Sequence, residues 1–166
     1  MSSQPTLNQP FPAFSLPAAI PGEAGSTETT LNNASFAGKP FVLFVYPRDN
    51  TPGCTIEANG FSEYYAEFQA AGIAVAGISR DSVRSHCGFI KKQGLPYPLL
   101  AHDGGSLLNE WGLISEGSMY GKPVTRVART TYLIDGAGVI RQIWEKVSPP
   151  GHAQAVLEAA RQLAAA

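Results

Sequence analysis

Between residues 41 and 68 the chain switches hydrophobic period, and no other stretch narrows the possible folds as much. Phe41-Val-Leu-Phe-Val45 is an unbroken apolar run, the pattern of a buried strand. After Ile56, the residues Phe61, Tyr64, Tyr65 and Phe68 fall at i, i+3, i+4 and i+7, which is helical spacing. Between the two lies Tyr46-Pro-Arg-Asp-Asn-Thr-Pro-Gly-Cys-Thr55. Cys54 is therefore expected where a strand hands over to a helix, behind a Thr-Pro-Gly turn. The first turn of a helix has amides without intrahelical acceptors and lies at the positive end of the dipole, so an anion is favoured there. Reactive cysteines occupy such places.

A lone cysteine is ordinarily a small buried hydrophobe, but a core position needs none of the neighbours found here. Pro47 and Pro52 stiffen the approach by fixing φ. Gly53, without a Cβ, lets the backbone come close to whatever binds. Thr51, three residues before the cysteine, brings a hydroxyl within reach of the sulfur.

The alternation continues downstream. Strands are expected over 41–46, 73–78 and 97–101, and helices over 54–70, 82–93, 106–111 and 153–165. Gly72 and Gly94 stand just past two of these helices, where a terminating glycine belongs, and Asp81 or Ser82 can cap the second. Residues 130–134 and 139–145 flank Asp135-Gly-Ala-Gly138 as a hairpin. The stretch 21–30 reads as a turn region or hairpin, and residues 1–12 as a polar segment lying loosely over the surface. Val156, Leu157, Ala160 and Leu163 share one face of the last helix. The pattern predicts an α/β fold with a mixed central sheet flanked by helices. No repeat or boundary divides the chain, so residues 1–166 are expected to form one domain.

Composition excludes several function classes. Twelve basic and thirteen acidic residues give a net charge of −1 without any basic run, so neither nucleic acid nor an anionic membrane is an expected partner. No stretch approaches the ~20 apolar residues of a spanning helix, and the first ten residues lack the charge and apolar stretch of a secretory signal. Two cysteines without a CxxC pair make neither a disulfide framework nor a zinc site. His86, His102 and His152 are too scattered for a metal site, and Gly104-Gly105 reads as a turn rather than a phosphate loop. No metal and no cofactor are expected. The reading is cytoplasmic, where thiols are kept reduced and a Cys–Cys bond is transient.

Pro47-x-x-x-Thr51-x-x-Cys54 resembles the active-site motif of the peroxiredoxins. The longer string, running on through Ile56-Glu-Ala58, resembles the bacterioferritin comigratory protein, or peroxiredoxin Q, branch. Ser79-Arg-Asp-Ser-Val-Arg-Ser-His86, Leu95-Pro-Tyr-Pro-Leu-Leu100, Tyr120-Gly-Lys122, Arg129-Thr-Thr-Tyr-Leu-Ile-Asp135 and Gly151-His152 look like segments of that family in their usual order. The resemblance implies a thioredoxin-like fold and a peroxidase acting on hydrogen peroxide and alkyl hydroperoxides, with thioredoxin or a similar thiol as reductant. It also implies that Cys54 is the nucleophile, Arg129 the active-site arginine, Thr51 a donor to the peroxide, and Pro47 a shield over the sulfur. Arg126 and Arg129 are three apart, so on one extended strand they would face opposite ways, and the resemblance selects Arg129.

The chain departs from its relatives at the second cysteine. Many members of the branch carry it five residues after the first, where this chain has Asn59, and others on the following helix, at a position aligned with Ile90. Here it is Cys87, one turn earlier. Val83, Cys87 and Ile90 lie at i, i+4 and i+7 on one stripe. Cys87 is thus either the resolving partner of Cys54 or a core cysteine, and in the second case the protein is a one-cysteine peroxidase. A thiol–disulfide oxidoreductase is disfavoured by the missing CxxC, and a non-catalytic thioredoxin-like holdase by the intact Thr51, Cys54 and Arg129 set. Glu57, one turn past Cys54, would oppose thiolate formation if it faced the sulfur. His152 reads as a helix-start residue, and Trp111 and Trp144 as core or edge packing. No apolar edge or extra arm calls for a second copy, so a monomer is expected.

Overall fold

The computed structural model describes residues 5–21, 27–102 and 107–165. In chain order its strands are β1 (Ser15–Ile20), β2 (Thr27–Asn32), β3 (Phe41–Val45), β4 (Ala74–Ser79), β5 (Leu99–Ala101), β6 (Ile114–Met119), β7 (Lys122–Val127), β8 (Thr130–Ile134) and β9 (Ile140–Trp144). Its helices are α1 (Pro52–Glu63), α2 (Tyr65–Ala70), α3 (Val83–Gln93), α4 (Leu107–Glu110) and α5 (His152–Ala165). Among the described residues, seven strands form one sheet in the order β2-β1-β5-β4-β3-β8-β9, while β6 and β7 pair only with each other. β3, β4 and β5 run parallel, and β8 runs antiparallel to β3. The sheet is mixed, as the alternation of strands and helices predicts.

Every residue of β3 is buried because both faces of the sheet are covered. Side chains alternate along a strand, so Val42 and Phe44 enter one core while Phe41, Leu43 and Val45 enter the other. The first core receives Cys54, Ala58 and Phe61 from α1, Phe68 from α2, Phe89 and Ile90 from α3, and Val156, Leu157 and Ala160 from α5. Phe11, Phe14, Phe36, Leu108 and Trp111 close the second.

Gly77 shows how the sheet seats the helix that carries Cys54. It lies in register with Phe44 and Leu99, and a Cβ there would come within 2.8 Å of both side chains. The room it leaves lets Phe44 stack on Phe61 of α1, with ring centroids 4.6 Å apart. Gly77→Ala is expected to lower stability by ~1–3 kcal/mol, the usual result of overfilling a packed core. A denaturant midpoint equal to that of the parent would contradict this.

Several elements differ from the sequence expectation. The helix expected over 54–70 begins two residues earlier and breaks at Tyr64, which has φ −97 and ψ 5. Gly60 weakens that part of the helix and suits the close approach of α5: a Cβ there would be 3.3 Å from that of Ala153. The strand expected over 97–101 shortens to Leu99–Ala101, and the helix over 106–111 to Leu107–Glu110. Residue 106 and the Gly104-Gly105 turn lie outside the described residues. Residues 5–12 are not loose. Asn8, Gln9 and Phe11 exchange backbone hydrogen bonds with Ile140 and Gly138, and the Phe11 ring packs against Phe14, Trp111 and Tyr132. β1 and β2 form the hairpin expected near 21–30, although its turn at 22–26 lies outside the described residues. No described helix is long and apolar enough to cross a membrane.

Candidate active site

Local chain chemistry sets the position of Cys54. Beyond β3 the ladder continues for one bond, with the Tyr46 N–H donating to the Ile78 carbonyl at 3.1 Å. The chain then turns through Asn50, whose φ of +62 is left-handed and is tolerated by asparagine better than by most residues. Thr51 is extended, as a following proline requires, and Pro52 opens α1 where its missing N–H is not needed. Cys54 is therefore the third residue of α1, and it is fully buried. Helix geometry leaves the amides of Gly53 and Cys54 without intrahelical acceptors.

Arg129 meets the sulfur from the two-residue link between β7 and β8. Its Nη2 donates to Cys54 Sγ at 3.4 Å and its Nη1 to Glu57 Oε1 at 2.6 Å, so one guanidinium spans both side chains. Gly53 belongs to the same fit, because a Cβ there would lie 3.2 Å from Nη2. The glycine read as admitting a ligand also admits the guanidinium. Burial pushes the Glu57 carboxyl up to about 7, against the pull of Arg129. Burial works to lower the Arg129 value, but Glu57 and Cys54 outweigh it and hold it above its ordinary range.

Thr51 and Pro47 lie in the loop before Cys54. The Thr51 hydroxyl donates to the Arg48 carbonyl at 2.9 Å and does not cap α1; Pro47 is half-buried. Cys87 is on α3, half-buried against the same core as Cys54, and no disulfide joins the two. Ile90, one turn further along that stripe, is buried. The structure thus brings Cys54 and Arg129 into contact, keeps Pro47 and Thr51 in the adjoining loop, and leaves Cys87 on a separate helix.

One expectation needs correction. Arg126 and Arg129 do not share a strand, since β7 ends at Val127 and β8 begins at Thr130, so the opposite-faces comparison has no basis. The side chain of Arg126 lies outside the described residues. Glu57 and Cys54 share one guanidinium, so the carboxyl does lie on the side of α1 that carries the sulfur. The pairing of Glu57 with Arg129 has no sequence signal beyond its helical position.

The histidines divide by role. His102 accepts from the Leu107 and Leu108 amides at the start of α4. His152 opens α5, as expected, with Nε2 2.8 Å from Thr131 Oγ1, and burial together with Arg129 lowers it to about 4. Trp144 packs edge-on against that ring and Trp111 lies in the second core. His86 joins Asp49 and Asp81 in a group whose donor atoms fall within 4.8 Å of one another. Its ring nitrogens face the Asp49 carboxylate and the Leu100 carbonyl, so this group is held by its own hydrogen bonds.

Glu57 and His152 make opposite contributions to stability against pH. Glu57 titrates higher in the folded chain (about 7) than its ordinary 4.5, so its contribution is full below about 4.5 and lost as pH rises through 7. His152 titrates lower (about 4) than its ordinary 6.5, so its contribution is full above 6.5 and lost as pH falls through 4. In the window between 4.5 and 6.5 the two oppose each other. Glu57→Gln is therefore expected to lose stability on acidification across this window, and His152→Gln to gain it. Denaturant midpoints at several pH values check both slopes, and parallel profiles for the two variants would contradict the assignment.

A buried thiol at a helix start, bonded by a fixed guanidinium, defines a thiol-based redox enzyme. Residues 7–143 match the model of the AhpC/TSA family, and the chain belongs to that family. It is similar to Peroxiredoxin Bcp of Xanthomonas campestris, 42% identical over 153 residues that cover 92% of each chain. It is a peroxiredoxin, a thiol-dependent peroxidase. Peroxiredoxin Q of Xylella fastidiosa, solved as a cysteine-to-serine mutant, is 32% identical with a TM-score of 0.83 over 96% of this chain and 98% of that one. The bacterioferritin comigratory protein of Xanthomonas campestris, studied for alkyl peroxide reduction in trapped intermediate and ligand complexes, is 42% identical with a TM-score of 0.76 over 90% and 92%. These neighbours share the thioredoxin-like α/β fold. Two mutants of the Xanthomonas protein replace cysteines 36 positions apart, whereas Cys54 and Cys87 here are 33 apart.

Proposed function

We propose that Cys54 reduces hydrogen peroxide and alkyl hydroperoxides, that Cys87 resolves the product as an intramolecular disulfide, and that thioredoxin or a similar thiol protein returns both thiols. The contact between Arg129 Nη2 and Cys54 Sγ, with Nη1 anchored on Glu57, carries this reading. The thiolate attacks the terminal peroxide oxygen, the O–O bond breaks, and the departing alkoxide or hydroxide takes a proton and leaves as alcohol or water. Cys54 is left as a sulfenic acid. Arg129 stabilises negative charge first on sulfur and then on the peroxide oxygens; Thr51 donates to the peroxide and Pro47 keeps water from the sulfur. The alkyl peroxide reduction of the Xanthomonas relative supports the substrate class. The protein acts as a monomeric single-domain enzyme in the cytoplasm.

For resolution, the Cys87 thiol displaces the sulfenic hydroxyl, an S–S bond forms and water leaves. Cys87 is half-buried on α3 and Cys54 is fully buried at the start of α1, so bond formation calls for a shift of the first turn of α1, of α3, or of both. A disulfide needs Cα atoms roughly 4.4–6.8 Å apart. In Cys87→Ser the first peroxide turnover should survive, while thioredoxin-linked recycling slows and over-oxidation of Cys54 rises. Recycling at the parent rate would replace this mechanism with the one-cysteine form. Peroxide consumption with a thiol reductant, run beside insulin-disulfide reduction, tests the class: activity in the first assay alone is expected, and activity in neither would favour a holdase.

A further inference from the structure

A buried polar cluster joins the loop before Cys54 to the helix turn that carries Cys87, and the peroxidase chemistry does not use it directly. Asp49 lies five residues before Cys54 and is almost completely buried. Its Oδ1 accepts from the Tyr46 hydroxyl at 2.6 Å, and its Oδ2 accepts from the Ser85 hydroxyl at 2.8 Å and faces His86 Nδ1 at 2.8 Å. Its backbone N–H donates to Asp81 at 2.8 Å. His86 is fully buried, directly precedes Cys87, and gives its Nε2 hydrogen to the Leu100 carbonyl at 2.8 Å. A backbone carbonyl only accepts, so that hydrogen is required and the ring is fixed at both ends.

The core does not need these groups for packing. Phe89 and Ile90 already anchor α3 by their apolar side chains, and a buried carboxylate and imidazole carry a desolvation penalty that apolar residues would avoid. Their geometry instead fixes the loop before Cys54 and the start of α3 in one relative placement, and those are the segments that carry the two cysteines. Ser82 caps α3 by accepting from the Ser85 N–H, and Ser85 donates its own hydroxyl to Asp49, so the cap and the loop are one network.

We infer that Asp49 and His86 act as positioning residues, a clasp that holds the Pro47–Thr51 loop against the first turn of α3 in the reduced enzyme and whose release limits the meeting of the Cys54 sulfenic acid with Cys87. The inference rests on Cys87 as the resolving cysteine. The clasp keeps the peroxide site formed during the first step and delays the second. The second step is Cys54–SOH + Cys87–SH → Cys54–S–S–Cys87 + H₂O, with the peroxide already consumed as the oxidant.

Rapid mixing with peroxide separates the two steps, because sulfenic acid formation depends on peroxide concentration and disulfide formation does not. Asp49→Asn and His86→Gln are expected to speed the peroxide-independent phase by about tenfold or more, the equivalent of a charge-assisted hydrogen bond lost from the closed form. Ser85→Ala, which removes one donor and leaves the ring untouched, should shift it in the same direction by less. The amount of peroxide needed to over-oxidise Cys54 should rise in step, and amide exchange in residues 83–87 should already be faster in the reduced variants. A merely structural role would leave the resolving phase unchanged or slow it, and either result overturns the clasp. The intact mass of the parent separates the two failures. A parent that gains one oxygen and forms no disulfide removes the Cys87 reading and the clasp with it. A parent that forms the bond no more slowly than the variants removes the clasp alone.

Discussion

Cys54→Ser is expected to abolish peroxide turnover while the chain stays folded. The side chain is fully buried in the first core and the change is nearly isosteric, so the packing of that core is kept. What is lost is the nucleophile: a serine hydroxyl does not ionise near neutral pH, and oxygen does not form a stable counterpart of the sulfenic acid. Far-ultraviolet circular dichroism and the denaturant midpoint should match the parent closely, and peroxide consumption with excess reductant should fall to background. Substantial activity would move the chemistry to Cys87, the other cysteine of the chain.

Arg129→Ala has the second largest expected effect, and it separates chemistry from folding. The guanidinium bonds Cys54 and Glu57 at once and is held above its ordinary range by them. Removing one donor aimed at developing charge costs about 10²–10³ in rate. Alkylation of Cys54 at neutral pH should also slow, because a neighbouring cation favours thiolate over thiol. The variant also leaves Glu57 buried without its partner, which raises the population of its neutral form. Arg129→Ala in a Glu57→Gln background should therefore recover stability without recovering rate. If the alkylation rate stays at the parent value, Arg129 does not act on the sulfur.

The parts of the fold legible in the sequence are those where one periodicity runs unopposed. Phe41-Val-Leu-Phe-Val45 is a strand and Val83–Gln93 a helix because period, cap and stop agree: Ser82 accepts from the Ser85 N–H, and Gly94 takes the left-handed conformation at φ 66. β1 is hidden by Pro17 and by two alanines, neither of which signals a strand. β6 and β7 carry Gly117 and Pro123, and the residues between Ile114 and Val127 show no apolar alternation, so no strand period is legible there. Tyr120 at their turn, with φ +54, has no glycine signature of its own. Phe11 looks like part of a polar leader, yet it fills a hole between Phe14, Trp111 and Tyr132, and only the tertiary structure reveals that hole.

In the candidate site, the local part is legible in the sequence and the long-range part is not. The strand, the Thr-Pro-Gly turn and the helix place Cys54 by chain geometry alone. Arg129 is 75 residues away from Cys54 and 72 from Glu57, and no spacing rule connects them. The family resemblance selected Arg129, but it did not reveal that Glu57 holds the second nitrogen. Asp49 and His86 are likewise 37 apart. The three histidines read as unrelated because each has its own partners: His86 a carboxylate and a carbonyl, His102 two backbone amides, and His152 a threonine hydroxyl.

The most direct measurement is the intact mass and peptide map of the reduced protein after one equivalent of peroxide. A loss of two hydrogens, with the peptides of Cys54 and Cys87 linked to each other, is the expected result. A full equivalent of peroxide consumed while Cys54 remains an unmodified thiol would contradict the account.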